Sequence, residues 1–415
     1  MTGSERALSS AFQQRMLICV FIGFSSGLPL FILLNLLQAW LAKSGLNVKS
    51  LGLFALVMFP YTWKFLWAPL MDRFSPGRMG RRRGWMVITQ LALFLSIGVM
   101  GMLDPMRHLL PIAFLCALIA FLSSSQDIAL DAYRRELLPD NEQGLGNAIH
   151  VNAYRVSGMV PGALSLILAD MMSWQWVFWI TAAFMIPGLV CTFLISEPKI
   201  YGAPPRNLRE AVVLPFQEFI VRSGWKNALL ILSFIFLYKL GDSLATALAT
   251  KFYLDLGFSM TQIGAIAKTT GFWASLLGGM LGGIWMIRLG INRSLWLYGV
   301  VQAVSILGFS WISLQGADPF MLAFVIGFEA LGVGLGTAAF VAYIARTTDR
   351  RYSATQFALF TSLAAIPRTF INASAGFIVD QIGWFMFFNV CFLLALPGML
   401  LLPKVAPWFG EKEET

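Results

Sequence analysis

The 415-residue chain is 58% hydrophobic and only 12% charged, with a formal net charge of +9. Soluble domains carry about 25% charged residues, so this composition excludes an ordinary soluble protein and predicts an integral membrane protein. A positive balance can indicate a nucleic-acid partner. Here the arginines gather in loops between apolar segments, where they indicate topology. We therefore predict no nucleic-acid partner.

Twelve apolar segments are long enough to cross a bilayer, which takes about 20 mainly apolar residues. Spans 1 to 12 are predicted at 16–41, 51–71, 84–103, 109–132, 144–169, 174–196, 226–254, 260–287, 294–314, 319–345, 354–379 and 383–403. Span 1 is much longer than the roughly 7–15 apolar residues of a signal-peptide core, so we expect it to remain as a membrane span. The four cysteines lie inside apolar segments without paired spacing, which predicts buried thiols and neither a disulfide nor a metal site.

Basic residues fall mainly on one side of the predicted spans. With the N-terminus inside, the cytoplasmic loops receive Arg73, Arg78, Arg81, Arg82, Arg83, Arg134, Arg135, Arg206, Arg209, Arg222, Arg288, Arg293, Arg346, Arg350 and Arg351. The opposite side receives little beyond Lys43, Lys49 and Arg107. Because positive residues stay inside, we predict that both termini are cytoplasmic.

The loop between spans 2 and 3 begins with an acid and an arginine and ends in a Gly-Arg cluster. These residues resemble the loop signature of the major facilitator superfamily: Asp72, Arg73, Gly80, Arg81 and Arg82. The resemblance implies a conformational latch that holds cytoplasmic helix ends and does not bind substrate. A stop-transfer anchor of positive charge is the alternative interpretation.

An ionisable residue within a predicted span costs about 2.5–3.5 kcal/mol near the bilayer centre and so needs a partner or a function. The candidates are Lys64, Asp127, Asp131, Arg155, Lys239, Asp242, Lys268, Glu329 and Arg368. Such a set suits an anionic substrate together with a titratable carboxylate. We predict that the five cations contribute to substrate binding.

Asp127 and Asp131 are four residues apart and therefore share one face of span 4. Asp127 lies about 10 Å from the arginines that end this span, at 1.5 Å per residue, which is a depth similar to that of Lys64. Lys64 and Asp127 could therefore pair, while Asp131 could brace the loop arginines. Asp127 is the first candidate for proton coupling, with Asp131 and Glu329 as further candidates. Structural ion pairs are the alternative.

In the second half, Lys239 and Asp242 could neutralise each other locally at i and i+3. Glu329 has no acidic or basic neighbour within its own span. Arg155 and Arg368 occupy nearly corresponding points of spans 5 and 11, where guanidinium groups would bind carboxylates bidentately.

The segment 197–225 separates the halves. An asparagine at 207 precedes alternating apolar and polar residues, which is typical of an N-capped amphipathic helix on the membrane surface. A simple linker between two bundles is the alternative. We predict domains at 1–196 (first bundle), 197–225 (linker), 226–403 (second bundle) and 404–415 (solvated tail).

The two halves repeat each other at an offset of about 210 residues. Matching pairs are Ala132-Tyr133 with Ala342-Tyr343, Asp170 with Asp380, Trp174 with Trp384, and Pro187-Gly188 with Pro397-Gly398. Gly45 and Gly52 likewise correspond to Gly257 and Gly264, at an offset of 212. A duplicated six-span bundle most often makes a transporter, because a site between similar halves can open to either side.

Catalytic signatures are missing from the sequence. It has no nucleotide-binding loop ending in Gly-Lys-Ser/Thr, no histidine cluster for a metal and no soluble catalytic domain. We predict no enzyme activity and no cofactor, so energy must come from an ion gradient or from the substrate gradient.

Seven short motifs in order resemble the AmpG-type muropeptide permeases. They are Gly23–Pro29, Lys64–Arg73, Gly80–Trp85, Ser125–Ile128 with Asp131-Ala132, Tyr238–Asp242, Lys268-Thr269 and Ser353–Leu359. The resemblance covers essentially all twelve spans. It implies an all-α membrane protein of the major facilitator fold, with twelve transmembrane helices in two six-helix bundles.

The same resemblance implies a monomeric, proton-coupled importer of anhydro-muropeptides in the bacterial inner membrane, with a possible link to β-lactamase induction. It brings Gln126 into the expected substrate site, where Tyr61 could stack on a sugar ring. Some family members carry further C-terminal hydrophobic segments, whereas this sequence ends soon after span 12. The alternatives are a siderophore or acetyl-CoA transporter of the wider family, or a membrane sensor that retains a transporter fold.

Overall fold

The computed structural model describes residues 3–45, 58–198, 207–259, 262–370 and 374–409, and within these ranges all regular secondary structure is helical. The α-helices of the first half are Gly3–Phe31, Leu37–Lys43, Phe59–Trp63, Ala68–Arg73, Arg81–Met100, Leu109–Leu137, Gln143–Ser157, Ser165–Met171, Trp174–Ala183 and Ile186–Leu194. Leu208–Ser223 forms the linker helix. The second half contains Trp225–Leu237, Leu240–Thr246, Ala249–Asp255, Thr269–Gln315, Pro319–Thr347, Ser353–Phe370 and Ala375–Val405.

Eight helical stretches within the described ranges are long and apolar enough to cross a membrane. Six of them correspond one to one to spans 1, 3, 4, 6, 7 and 10. The stretch Ile263–Gln315 contains both span 8 and span 9, and Ala375–Val405 contains span 12 with the end of span 11. Spans 2 and 5 and most of span 11 fall outside this set; the described parts of spans 2 and 5 are divided into short helices. Residues 51–57 of span 2 and 371–373 of span 11 lie outside the described residues.

The backbone confirms the predicted repeat. Helices Leu109–Leu137 and Pro319–Thr347 have 29 residues each, and every boundary differs by 210. The short 3₁₀ turns Asp140–Glu142 and Arg350–Tyr352 that follow keep the same offset. Gly80 and Gly290, which precede spans 3 and 9, share a positive φ (99° and 74°) with an extended ψ. This conformation favours glycine, so the same sharp turn starts the third helix of each half.

The chain forms two compact units. Unit 1 contains residues 1–139, 149–216 and 348–359, and unit 2 contains 140–148, 217–347 and 360–415. Each unit therefore includes one short segment that belongs by sequence to the other half. We call 348–359 the unit 1 docking segment and 140–148 the unit 2 docking segment.

Each unit has its own apolar core. In unit 1, the fully buried rings of Trp40 and Phe178 meet edge to face, with centroids 5.0 Å apart. In unit 2, Phe252, Phe309 and Phe388 form a cluster with centroid distances of 4.7–6.1 Å. The four cysteines are buried and free, as expected from their positions.

Two glycines bring span 1 against span 5 in unit 1. A Cβ at Gly23 would meet the His150 carbonyl, and a Cβ at Gly27 would meet the Tyr154 carbonyl. Glycines four residues apart let membrane helices approach closely, because no side chain separates the two backbones. Gly23 and Gly27 therefore hold the backbone of span 1 against span 5 at His150 and Tyr154, and Tyr154 directly precedes Arg155.

Candidate substrate and ion site

The intramembrane lysine of span 2 lies at a break in its helix. Lys64 is the first residue of a short 3₁₀ turn between helices Phe59–Trp63 and Ala68–Arg73. The flanking residues Trp63 and Trp67 have φ near −105° and ψ near 0°, the sparsely populated region between the α and β basins. Pro69, near the start of Ala68–Arg73, explains the interruption, since proline has no N–H with which to continue a preceding helix.

Three of the four other predicted cations also lie at or close to irregular backbone. Lys239, with φ −103° and ψ 6°, separates helices Trp225–Leu237 and Leu240–Thr246. Lys268 is the last residue of the π-helix Ile263–Lys268. Arg155 lies in the last turn of Gln143–Ser157, just before the π-helix Val160–Leu164. Broken helices at membrane depth are typical of transporter binding sites, because they present backbone polar groups to a cavity.

Span 4 holds span 1 through two adjacent side chains. Ser26 Oγ donates to Asp127 Oδ1 at 2.5 Å. Gln126 Nε2 donates to the carbonyl oxygen of Ser25 at 2.9 Å and contacts its hydroxyl at 3.1 Å. The predicted coupling carboxylate therefore has a hydroxyl partner on span 1, and Gln126 fixes the register between the two helices.

This contact belongs to a larger buried polar network in unit 1. Gln90 Nε2 donates to Ser25 Oγ at 3.4 Å, and Thr192 Oγ1 donates to Gln90 Oε1 at 3.0 Å. Ser25, Gln90, Gln126 and Thr192 are fully buried. Buried polar groups rigidify a bundle when they are hydrogen-bonded, so spans 1, 3, 4 and 6 are tied together at this level.

The ion pair of Lys64 differs from the expected one. Lys64 Nζ lies 4.0 Å from Asp131 Oδ2, one turn nearer to the arginines than Asp127. Lys64 and Asp127, which are both described, are farther apart than an ion pair allows. Asp131 also pairs with Arg134 NH2 at 2.8 Å, which confirms that Asp131 braces a loop arginine. The Asp131 carboxylate contacts both Lys64 and Arg134 because it lies between them. The depth of each residue in the membrane, estimated from the sequence, did not show which of the two acids Lys64 contacts.

In unit 2, Lys239 Nζ pairs with Asp242 Oδ2 at 3.1 Å, as the i, i+3 spacing predicted. Glu329 is buried within span 10. Arg155 and Tyr61 are half-buried, and Tyr61 packs against the apolar core of unit 1. The side chains of Lys268 and Arg368 lie outside the described residues.

The arginine-rich end of unit 1 contains a buried ionic network. Arg82 is its centre: the Arg82 guanidinium contacts Asp72 Oδ1 at 2.7 Å and Glu136 Oε1 at 2.6 Å. Arg81 donates to the carbonyl oxygen of Asp72 at 2.9 Å and lies 3.5 Å from Glu136. Arg82, Asp72 and Glu136 are almost completely buried, so each charge depends on its partners.

The unit 1 docking segment completes this network. Asp72 Oδ2 accepts hydrogen bonds from Thr355 N at 2.8 Å and from Thr355 Oγ1 at 2.7 Å. Ser353 Oγ donates to Glu136 and accepts from Arg82. Thr355 lies in the first turn of Ser353–Phe370, where backbone N–H groups have no intrahelical partner and the helix dipole favours an anion. Asp72 therefore caps this helix across 283 residues of sequence.

Two further loop residues of the predicted latch have different roles. Gly80 adopts a positive φ, and a Cβ there would lie 2.5 Å from the Glu197 side chain. Glu197 in turn accepts hydrogen bonds from the backbone N–H groups of Arg82 and, at 3.0 Å, Arg83. The Arg73 guanidinium lies over the ring of Phe74, 5.0 Å from its centroid, rather than in the ionic network.

Sequence reasoning thus missed the acids and hydroxyls that complete both sites. The missed residues are Ser26, Glu136, Glu197, Ser353 and Thr355. Glu136 carried a usable signal, since a buried cluster of arginines needs nearby acids and Glu136 directly follows Arg134-Arg135. Ser353 and Thr355 belong to the motif Ser353–Leu359, but the motif did not indicate their partners, because only the folded chain brings span 11 to the start of span 3.

Comparisons with known proteins agree with this architecture. A family model described as Major Facilitator Superfamily matches residues 16–267. An uncharacterised protein of Haemophilus influenzae is 48% identical over 421 aligned residues, covering 99% of each chain. The anhydromuropeptide permease of Escherichia coli K12 is 41% identical over 394 residues, covering 94% of this chain and 80% of that protein. The crystal structure of the transporter FucP in the outward conformation matches 94% of this chain and 98% of its own, with a TM-score of 0.71 at 11% identity, which shows the fold.

Proposed function

Because the chain belongs to the Major Facilitator Superfamily, we propose that it imports anhydro-muropeptides across the bacterial inner membrane with the proton gradient. The observation that carries this proposal is the 41% identity, over 94% of the chain, to the Escherichia coli anhydromuropeptide permease. Both termini lie in the cytoplasm, as the distribution of arginines indicates. The protein acts as a monomer. Where imported fragments induce β-lactamase, this uptake supplies the signal.

The substrate is held by the intramembrane cations, most of which lie at or near breaks in their helices. Lys64, Arg155, Lys239, Lys268 and Arg368 supply positive potential for the carboxylates of the muropeptide's peptide. The backbone irregularity at Lys64 and Lys239 supports this role, since interrupted helices leave carbonyl and N–H groups available to a polar ligand. Tyr61 stacks on a sugar ring and Gln126 contributes a polar contact.

Asp127 carries the coupled proton. Its Oδ1 accepts from Ser26, and the adjacent Gln126 fixes the same stretch of span 1. Asp131, in contrast, is paired with both Lys64 and Arg134. Of the two acids on this face, we therefore assign the coupled proton to Asp127, whose nearest side-chain partner is the hydroxyl of Ser26. Glu329 is the second candidate.

Asp72, Arg73, Gly80, Arg81 and Arg82 form the conformational latch. Asp72 and Arg82 stabilise the closed latch, because both bind the unit 1 docking segment. Gly80 permits the turn at which Glu197 caps span 3, and Arg81 supports Asp72 from the side. The latch releases when the docking segment leaves Asp72.

Uptake by proteoliposomes tests the proposed substrate. Purified protein is reconstituted and given labelled anhydro-muropeptide, a siderophore or acetyl-CoA, each with and without an inward proton gradient. We expect gradient-driven accumulation of the muropeptide alone. Preferential uptake of the siderophore or acetyl-CoA would identify a different carrier of the same family. Binding without any counterflow would identify a sensor.

Asp127→Asn tests the coupling residue. We expect this variant to lose uphill accumulation while keeping part of its substrate counterflow, because counterflow needs no net proton movement. Asp131→Asn is the comparison on the same helix face. It leaves Lys64 and Arg134 without their shared acid and can lower total uptake, but we expect the remaining uptake to stay driven by the proton gradient. Undiminished accumulation by Asp127→Asn would eliminate Asp127 and transfer the role to Glu329 or Asp131.

A further inference from the structure

Unit 2 contains a small polar pocket behind the break in span 7. Its walls come from spans 7, 9 and 12, and they include Tyr238 and Asp242 of span 7 and Gln302 of span 9. The pocket has room for about one water molecule. Three of its lining side chains are polar, and all three are buried: Tyr238, Asp242 and Gln302.

Two atoms of these side chains have no hydrogen-bond partner within the described part of the chain. They are Asp242 Oδ1 and Gln302 Nε2, one a strong acceptor and the other a donor. A buried carboxylate oxygen or amide left without a partner costs about 1–3 kcal/mol, more where the group is charged. Two complementary groups that line one water-sized pocket are the usual partners of an ordered internal water.

The neighbouring contacts orient both groups. Asp242 Oδ2 is occupied by Lys239 at 3.1 Å, which leaves Oδ1 for the pocket. Gln302 Oε1 lies against Gly336 of span 10, where a Cβ would collide with it, so the amide nitrogen is on the other side. Tyr238 donates its hydroxyl hydrogen to the Leu295 carbonyl at 2.9 Å, so its oxygen remains able to accept.

We propose that the Tyr238–Asp242–Gln302 pocket binds one buried water molecule, which links Asp242 to Gln302 and thereby holds the Lys239–Asp242 pair in place at the break in span 7. The water donates to Asp242 Oδ1 and to Tyr238 Oη and accepts from Gln302 Nε2. These three partners are the usual number for a buried water.

This site makes Gln302 a positioning residue for Lys239, which rests on the proposed role of Lys239 in substrate binding. Gln302 does not contact the lysine. It acts through the water and Asp242, so that the ammonium group keeps one direction at a point where the helix itself is interrupted. In unit 1, by contrast, the buried glutamine Gln90 contacts Ser25 and Thr192 directly.

A high-resolution structure tests the water directly. We expect a water peak at about 2.6–3.2 Å from both Asp242 Oδ1 and Gln302 Nε2 in the wild-type protein. In Gln302→Met, whose side chain has similar length and no donor, we expect this peak to disappear. A wild-type map that resolves other buried waters and shows none here would overturn the proposal, whatever the substrate of the protein proves to be.

Uptake kinetics test the positioning role. We expect Gln302→Met to raise KM for the peptide-bearing muropeptide about tenfold, as for one lost hydrogen bond to a charged group, with little change in the maximal rate. KM for the peptide-free disaccharide should stay constant. Ser310→Ala is the matched control, since it removes another buried polar group of span 9 away from the pocket.

A double variant separates positioning from simple loss of packing. If Gln302 acts through Lys239, Gln302→Met should add no further increase in KM to Lys239→Met. Independent, additive increases would overturn the positioning role. If wild-type protein takes up no muropeptide at all, the proposed function fails, and the water peak alone then decides the site.

Discussion

The two docking segments fold onto their units by different chemistry. In unit 1, residues 348–359 meet buried ions: Asp72 caps the start of Ser353–Phe370, and Ser353 bridges Arg82 and Glu136. In unit 2, residues 140–148 meet glycines of span 8. A Cβ at Gly283 would collide with Ala148, and a Cβ at Gly144 would lie 2.9 Å from the sulfur of Met286.

Residues 210 apart occupy equivalent positions in the two halves, so the two docking contacts can be compared residue by residue. The equivalent positions of unit 1 and unit 2 are Asp72 and Gly282, Arg82 and Asn292, and Glu136 and Arg346. In unit 2, Arg346 donates to Asn292 Oδ1, so the buried ion pair of unit 1 is replaced by a half-buried arginine–amide contact. The repeat thus conserves helix boundaries while the chemistry at the contact is free to change.

This difference predicts unequal sensitivity. A buried ionic contact is stabilising only while every partner is present, because removing one leaves an uncompensated charge. A glycine contact depends on volume alone and is insensitive to charge. The stability of the docking contact in unit 1 should therefore depend strongly on each charged side chain. The stability of the docking contact in unit 2 should depend on the volume of the residues that meet there.

Asp72→Ala should give the largest effect. It removes a partner of Arg82 and leaves the Thr355 N–H without its acceptor, which should cost about 3–5 kcal/mol of unfolding free energy. Thermal unfolding in detergent can be followed with a thiol-reactive dye, because all four cysteines are buried. Asp72→Asn is the control: it keeps an acceptor for Thr355 and should lose less. Equal losses would mean that charge is unimportant at this contact.

Gly283→Ala should give an intermediate effect. The added methyl group meets Ala148 of the unit 2 docking segment, and overpacking of this kind costs about 1–3 kcal/mol. Gly282→Ala, one residue earlier, has contacts no closer than 3.2 Å and serves as the control. The same dye assay measures both variants. Gly283→Ala with wild-type stability would refute the close approach.

Asn292→Asp should give the smallest effect. The new carboxylate gains an ion pair with Arg346, but it loses the hydrogen bond that Asn292 Nδ2 donates to the Pro407 carbonyl at 2.9 Å. These changes oppose each other and Asn292 is buried, so we expect a net difference of about 1 kcal/mol or less. A stabilisation of several kcal/mol would show that unit 2 can support the ionic chemistry of unit 1.

Much of the fold followed from local features of the sequence. Hydropathy predicted the spans, and the offset between Trp174 and Trp384 predicted the repeat that the helix boundaries confirm. The breaks at Lys64 and Lys239 were not predicted. Pro69 is a signal that could have indicated the first break, whereas the break at Lys239 has no proline within it.

The candidate site was predicted in part. Charged residues within apolar segments stand out because of the free energy needed to place them in the bilayer. Lys64, Asp127, Asp131 and Lys239 were chosen as candidate site residues for this reason. Their partners were not. Lys64 pairs with Asp131 rather than with Asp127, and Asp127 accepts from Ser26, a residue that looks unremarkable in an apolar span.

The sequence by itself determined the membrane fold class, the six-plus-six repeat and the i, i+3 pair Lys239–Asp242, because each depends on residues that are close along the chain or repeated at a fixed offset. Only the tertiary structure decided that Asp72 caps a helix 283 residues away and that Asp242 and Gln302 line one pocket. Such pairings depend on which helix faces meet, and the energy of a buried charge depends on every partner that the fold brings to it.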